Sequence, residues 1–358
     1  MARDEDAPNP TSPTIYDVAR ASGVAPSTVS RTFSRPGRVN AQTADRVRRI
    51  AAEMGYRAKP VVRLSLPGAK TALLAMVVPD VPDHFFNEII RGAKEAANAA
   101  DHTLLVVDAQ RSATTERGAL ERLIPVVDGV ILAASTLPDS SIRVVARQRP
   151  TVVVNRAMTD VASVLTDNAD GMSQAVAHLA ALGHRELTYV AGPAGAWTDG
   201  TRWRAFRAAT QQLGLRTRRI GPTAPTQAGG HAAAHAFTEH ATSGVIAFND
   251  SIAVGFMRGL AELGMRVPDD VSVIGFDSLL AGWSIPPLTS LASPLRHLGS
   301  HAVRIVLAQQ VAGRPGRARA AGPLRPTRLP AKLVVRDSTA PPARRESRPV
   351  APDHEHAA

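Results

Sequence analysis

The sequence predicts two fold classes in one chain: a small all-α segment near the N-terminus, then an α/β core with parallel sheets divided into two lobes. Residues 14–56 carry short amphipathic helical patterns and no strand-like run. From Thr71 the texture changes to near-continuous Val/Ile/Leu runs alternating with amphipathic helices, the pattern of parallel strands covered on both faces by crossover helices. That pattern continues for about 240 residues, large for a single open sheet, so two lobes are expected.

Residues 1–13 are polar and acidic, without the basic start and apolar stretch of a signal peptide, and read as a disordered arm. Thr14 can cap a helix over "IYDVARAS", in which Ile15, Val18 and Ala19 share a face. Gly23 ends it as a left-handed residue would. "PSTVSRTF" opens with Pro26 at a favourable first helical position. In "NAQTADRVRRIAAEMG", Val47, Ile50, Ala51 and Met54 recur at helical spacing. A helix, a tight turn and a second helix within about 20 residues is the layout of a helix-turn-helix, whose second helix enters the major groove. Ala19, Val24 and Val29 would pack the two helices, while Ser27, Thr28, Ser30 and Arg31 offer hydrogen-bonding side chains. Arginine reads guanine through two hydrogen bonds, worth roughly 1–3 kcal/mol of discrimination. Pattern alone leaves a plain basic three-helix bundle open as the alternative.

In the core the strand candidates are "ALLAMVV", "HTLLVVDA", "VDGVILAA", "PTVVVNR", "LTYVAG", "GVIAFND" and "VSVIGFD". "FNEIIRGAKEAANAA", "ADGMSQAVAHLAALG" and "SIAVGFMRGLAELG" are helices between them. Ligands of open α/β sheets bind beyond the carboxyl ends of the strands, which marks Asp80, Asn155, Arg156, Asn249, Asp250 and Asp277.

Charge is unevenly placed. Of the formal +11, residues 14–70 hold eleven Lys/Arg against Asp17, Asp45 and Glu53, whereas 71–312 hold 20 basic and 21 acidic residues. From Gly313 onward ten basic residues face four acidic ones. A cationic segment ahead of a neutral core suggests a polyanion-binding module on a scaffold with another task. A GC-rich genome explains the basic tail, but explains the N-terminal concentration less well. The absence of cysteine excludes disulfides and Cys-based zinc or nucleophile sites. No run approaches the roughly 18 apolar residues of a membrane span, so a cytoplasmic chain is expected. His231/His235 and His297/His301 have helical metal-ligand spacing but no third ligand nearby, which favours surface helices over a metal site. The pairs Asp80/Asp83 and Asp167/Asp170 fall in strand-end loops, where capping is the usual role. No phosphate loop, nucleophile elbow or metalloprotease helix occurs, so neither a cofactor nor an enzyme is expected.

"TIYDVARASGVAPSTVSRTF" followed by "GRVNAQTADRVRRIAAEMGYR" resembles the DNA-binding domain of the lac repressor family of bacterial transcription regulators. The resemblance continues through "VVPDVPDHFFNEIIRGAKEAA", "VDGVIL", "HLAALGHR", "AFNDSIAVGFMRGLAELGMRVPDDVSVIGFD", "PPLTSL" and "LVVRDST", covering residues 14–339 in the family's order and spacing. It implies that Pro26, Ser27 and Arg31 occupy base-reading positions, and that Tyr16, Thr28, Ser30, Arg38, Asn40 and Thr43 occupy phosphate-contact or supporting ones. Where the family usually caps the recognition helix with Ser or Thr, this chain has Ala25, forfeiting a cap worth about 0.5–2 kcal/mol.

The family's hinge wedges a leucine into the minor groove of a double-stranded operator. Here the wedge position falls on Ser65, within "RLSLPG". Either Leu64 or Leu66 becomes the wedge, or Ser65 faces the groove and the leucines pack hinge against hinge. Pro67 disfavours helical geometry at Leu66, and a segment this short orders only on DNA.

The core resembles two-lobed periplasmic sugar-binding proteins. The resemblance implies an effector cleft with Phe85 and Phe86 at its edge, Asn155 and Arg156 after a strand, Asp167 beyond a crossover, Arg202 as the clamp, and Asn249 and Asp277 completing the ring. An arginine facing carboxylates and amides beside an aromatic wall suits a sugar or other polyol. Trp197 and Trp283 are candidates to stack on a sugar face, and Ser293 stands where relatives often carry glutamine. The expected organisation is an arm at 1–13, a helix-turn-helix domain at 14–58, a hinge at 59–70, a two-lobed effector-binding and dimerisation core at 71–338, and a disordered tail at 339–358. The proline-rich tail cannot form a heptad helix, so a homodimer is expected. An enzyme or a sugar-binding transport protein on the same two-lobed fold is the alternative; residues 14–56 speak against both.

Overall fold

The computed structural model describes residues 13–34, 39–56, 70–311 and 324–343. The chain divides into two compact units between residues 69 and 70. Arg38, Leu64, Ser65 and Leu66, and nearly all of the expected arm and hinge, lie outside the described residues.

Among the described residues the first unit consists of α1 (Ile15–Ser22), α2 (Pro26–Ser34) and α3 (Ala41–Glu53). Thr14 and Asp17 form a reciprocal capping box at the start of α1, and Gly23 closes that helix at φ 66°. A side chain at that dihedral crowds its own carbonyl, which is why glycine stands there. The Ala25 carbonyl accepts from the amides of Thr28 and Val29 at the start of α2, but its methyl group can cap nothing. Val18, Ala19, Val29, Val47 and Ala51 form the buried core of the unit, with Val24 packed against it.

The described residues of the second unit form two six-stranded sheets. One lobe contains β1 (Leu73–Val78), α4 (His84–Asn98), β2 (Thr103–Asp108), α5 (Ala113–Leu123), β3 (Gly129–Ala133), α6 (Asp139–Gln148), β4 (Thr151–Val154) and β5 (Ala162–Asp167). The chain then crosses into the other lobe with α7 (Asn168–Leu182), β6 (Glu186–Val190), α8 (Trp197–Gln212), β7 (Arg216–Ile220), α9 (Gln227–Thr238), β8 (Gly244–Ala247), α10 (Asp250–Glu262), β9 (Ser272–Asp277) and β10 (Thr289–Ala292). It returns through α11 (Leu295–Val311) and β11 (Thr327–Pro330), and crosses again into β12 (Lys332–Val334). The sheet orders are β11-β5-β4-β3-β1-β2 and β12-β10-β9-β8-β6-β7. Among the described residues all pairings are parallel except that of β10 with β12.

The central strands β3, β4, β8 and β9 are buried along their whole length, as double-sided cover by helices requires. The run "HTLLVVDA" departs from the expectation of full burial. It forms the edge strand β2, none of whose residues is fully buried, with Val106 39% exposed. On one face of the first sheet, α4 packs against α11 at Gly92 and Gly299, where a Cβ on either would meet backbone of the facing helix.

The core also extends past residue 338. The Ala340 amide donates to Ser272 Oγ at 3.0 Å, its carbonyl meets His184 Nε2 at 3.1 Å, and Thr339 Oγ1 meets His178 Nε2 at 2.9 Å. Thr339 and Ala340 therefore belong to the second lobe rather than to a disordered tail, because their polar groups pair with Ser272 at the start of β9, with His178 in α7 and with His184 just after it.

Candidate functional site

In the first unit, α2 turns Val29 and Thr32 inward and leaves Pro26, Ser27 and Arg31 exposed. Thr28 and Ser30 are half-buried beside them. Thr32 ties its hydroxyl to the Thr28 carbonyl at 2.9 Å. Tyr16 is 66% exposed. Asn40 caps α3 by accepting from the Gln42 amide at 3.0 Å, which leaves its side-chain NH2 group to donate elsewhere. Thr43 is half-buried one turn on. An exposed helix carrying short polar side chains and an arginine matches what a major groove admits.

In the second unit the carboxyl ends of both sheets open on a cleft of about 700 Å³, with a shallower recess of about 270 Å³ that shares Asp83, Phe85, Arg111, Asn249 and Asp277. The strand ends are conformationally unusual. Gln110 and Arg111 follow β2, Ala134 follows β3, Asn155 follows β4, and Asp277 and Ser278 end β9; all have φ between 47° and 95°. Left-handed backbone at non-glycine residues costs on the order of 1–3 kcal/mol each and gathers where a site needs side chains re-aimed.

Arg202 lies at the cleft floor. Its side chain and that of Asp277 are 3% and 6% exposed and meet at 3.3 Å. Nε donates to Asn168 Oδ1 at 3.0 Å, Nη1 donates to the Phe248 carbonyl, and the guanidinium lies 3.4 Å from the Phe276 ring centroid and 4.9 Å from that of Phe248. Ser293 Oγ donates to Asp277 Oδ1 at 3.0 Å. Burial pushes the Asp277 carboxyl upward, while Arg202 and Ser293 pull it back. Phe85 and Phe86 meet edge to face at 5.1 Å and form one wall. Asn249 caps α10 through the Ile252 amide at 2.9 Å, leaving Nδ2 for a ligand. Across the cleft the Thr198 hydroxyl donates to the Asn155 carbonyl at 3.3 Å, linking the two lobes. A ring of amides, one carboxylate and one arginine over aromatic walls can exchange hydrogen bonds with several hydroxyl groups at once.

Residues 14–59 match the family described as bacterial regulatory proteins, lacI family, and residues 176–339 match the periplasmic binding protein-like domain. The HTH-type transcriptional regulator DegA of Bacillus subtilis (strain 168) is 30% identical over 339 residues, covering 92% of this chain and 98% of DegA. The chain belongs to the lacI family of bacterial regulatory proteins. The HTH-type transcriptional repressor CytR of Escherichia coli (strain K12) is 30% identical over 308 residues, covering 84% of this chain and 90% of CytR. Among solved structures, the lac repressor dimer bound to operator and the anti-inducer ONPF is similar with a TM-score of 0.69 at 25% identity, covering 92% of this chain and 99% of that one. The complex of the transcriptional regulator CelR with cellobiose has a TM-score of 0.67 at 26% identity, covering 91% and 99%.

In this lacI-family chain two of the expected cleft residues are engaged elsewhere. Asp167 is not in the cleft lining; its Oδ1 accepts from the amides of Ala169 and Asp170, both at 3.2 Å, and caps α7. A carboxylate one residue before a helix meets unpaired amides first, and that demand consumes it. Arg156 does line the cleft, but it donates to the carbonyls of Ser135 and Leu137 and to Asp139, bracing the loop after β3. Trp197 lines the cleft at the first position of α8, whereas Trp283 is 89% exposed outside it. Asp83 caps α4, and Arg111 donates to both Asp80 and Asp83. His231 pairs with Glu262 at 2.7 Å and His301 Nδ1 meets the His297 carbonyl. Among the described residues no group of three metal-ligating side chains occurs.

Arg111, the loop 134–138, residues 193–196 and Thr198 are cleft residues that the sequence reading missed, whereas it named Trp197. The signal was available, since each follows a strand, but their residue types are unremarkable in a loop.

Asp250 lies beneath the recess. Its Oδ1 accepts from the Ser290 hydroxyl at 2.6 Å, and its Oδ2 accepts from the amides of Leu279 and Leu280 at 2.7 and 3.1 Å. Burial pushes its carboxyl up to about 7, against the pull of Ser290 and the two amides and with added repulsion from Asp277. The folded chain therefore keeps a proton that the unfolded chain has already released above roughly pH 4. This contribution to stability is complete below that pH and is lost as pH rises toward 7. Thermal unfolding of the wild type and Asp250→Asn across pH 4–7 should show the wild type losing ground to the variant as pH rises. A constant difference across that window would contradict the assignment.

Proposed function

We propose that this chain is a ligand-responsive, sequence-specific DNA-binding transcriptional regulator, acting as a dimeric repressor on a pseudo-palindromic operator under the control of a small sugar-like effector. The observation that carries the reading is the buried Arg202–Asp277 pair under an aromatic-walled cleft, in a chain whose first unit is a helix-turn-helix. Pro26, Ser27 and Arg31 read bases, while Tyr16, Thr28, Ser30, Arg38, Asn40 and Thr43 hold phosphates or support those that do. The effector lies against Phe85 and Phe86, with its hydroxyls on Asn155, Asn249, Arg202 and Asp277; Arg156 shapes the cleft from behind. That relatives hold ONPF and cellobiose in solved structures supports a sugar-type ligand. The chain works by binding rather than turnover, and among the described residues no helix is long and apolar enough to cross a membrane.

Leu64 or Leu66 supplies the minor-groove wedge that Ser65 cannot. Fluorescence anisotropy of the wild type, Leu64→Ala and Leu66→Ala on DNA from the chain's own promoter region, at two salt concentrations, tests both levels of the reading. Binding of one dimer to a palindromic site, lost mainly in one leucine variant, is expected. Equal binding by all three would remove the wedge, and no preference for any palindromic site over random DNA would remove the repressor.

The dimer needs an apolar face. Trp283 and Ile285, on the loop between β9 and β10, are 89% and 95% exposed, and large exposed apolar side chains close together mark association surfaces. Ile285→Asp is expected to weaken self-association at least tenfold in sedimentation experiments while leaving the core folded. An unchanged dimer would place the interface elsewhere.

A further inference from the structure

The charges of the cleft restrict its ligand more narrowly than a sugar-like effector. Among the described residues three arginines line it, and each is engaged within the protein. Arg202 is spent on Asn168, the Phe248 carbonyl and Asp277. Arg156 is spent on Asp139 and two loop carbonyls, and Arg111 on Asp80 and Asp83. The carboxylates of Asp83 and Asp277 also line the cleft. Among the described residues, a phosphate or carboxylate entering here would meet no cation without a partner already, and burying a charge without a new partner is costly. The start of α8 also faces the cleft, with Ala196 providing no side-chain cap, so its amides can receive ligand oxygens. Asp199 in the same turn is buried and paired with Arg219, so the pair adds no net charge to that end of the cleft.

The cleft is also larger than its polar ring needs. Clefts of roughly 300–1,000 Å³ take drug-sized ligands, and about 700 Å³ is open here. Asn155, Arg202, Asn249 and Asp277 form one polar group of the lining, while Leu137 and Pro138 on one side and Pro193, Ala194 and Trp197 on the other form an apolar stretch, with Ser135, Thr136 and Thr198 beside it. The Trp197 indole offers a flat face for a second ring.

Resting on the sugar-effector reading above, we propose that the cleft takes an uncharged two-ring glycoside. Its polyol ring lies among Asn155, Arg202, Asn249 and Asp277 and its second ring against Trp197, and phosphorylated or acidic sugars are excluded. Calorimetric titration of the full-length dimer provides the test. The probes are neutral monosaccharides, the disaccharides and aryl glycosides built on them, and the 6-phosphates and uronic acids of the same sugars. A neutral two-ring compound is expected to bind at least tenfold more tightly than its monosaccharide and at least tenfold more tightly than its charged analogue. Trp197→Ala, with folding checked by circular dichroism, should erase the advantage of the second ring while changing monosaccharide affinity no more than about twofold. A phosphate or acid that binds as well as the neutral compound would overturn the proposal, as would equal losses for one-ring and two-ring ligands in Trp197→Ala. If no sugar of any charge binds, the sugar-effector reading itself fails, an outcome distinct from both.

Discussion

Arg202→Leu is expected to destabilise the two-lobed core by about 3–5 kcal/mol, the range for removing one partner of a buried ion pair. It should also abolish the response to a cleft ligand. The arginine satisfies Asn168, the Phe248 carbonyl and Asp277 together and stacks on Phe276. Without it Asp277 stays buried, with the Ser293 hydroxyl as its remaining side-chain donor. Arg202→Lys should recover little, because a single ammonium cannot reproduce the planar fork or lie flat on the ring. Urea unfolding reads the stability and anisotropy on DNA reads the response. A leucine variant of near wild-type stability would show that the pair contributes nothing the core needs.

Arg31→Ala is expected to cost about 1–3 kcal/mol of discrimination between operator and substituted sites, concentrated at one base pair in each half-site. Arg31 is exposed, one turn beyond Ser27 on the same helix, with Val29 turned into the core between them. Competition binding against single-base operator variants at fixed salt measures this. An even loss across all sequences, with a shallower salt dependence, would make Arg31 a phosphate contact instead.

The elements that the sequence makes legible are those whose burial forces a pattern. "VDGVILAA", "GVIAFND" and "VSVIGFD" are central strands buried on both faces, so their apolar runs are unbroken. Strand β7 reads "RTRRI" and lies at the sheet edge, largely exposed, with no apolar run to announce it. Strands β11 and β12 are short and half-exposed, and pair with partners 40 or more residues earlier in the chain; that pairing is set by tertiary contact alone. Helices α1 to α3 were legible because Thr14, Gly23, Pro26 and Asn40 punctuate them with caps and turns.

The candidate site divides in the same way. The strand-end rule finds Asn155, Asn249 and Asp277, since topology fixes where a strand delivers its last residue. It cannot tell Asp277, which reaches the cleft, from Asp167, which turns back onto its own helix. Both follow apolar runs, and the difference lies in a backbone dihedral: Asp277 has φ 95° and Asp167 has φ −72°. The engagement of Arg111 with Asp80 and Asp83 spans about 30 residues of sequence and depends on the left-handed turn at Gln110 and Arg111. No local spacing encodes it.

On the proposed reading, occupancy of the cleft sets the affinity of the helix-turn-helix for DNA. Operator binding by the full-length chain, measured by anisotropy at fixed salt with and without a saturating cleft ligand, decides whether it does. A coupling of roughly 5–150-fold between the two affinities is expected, and it should vanish in Arg202→Leu. Identical operator affinity with the cleft empty and filled, in a wild type that binds both ligand and operator, would contradict the account.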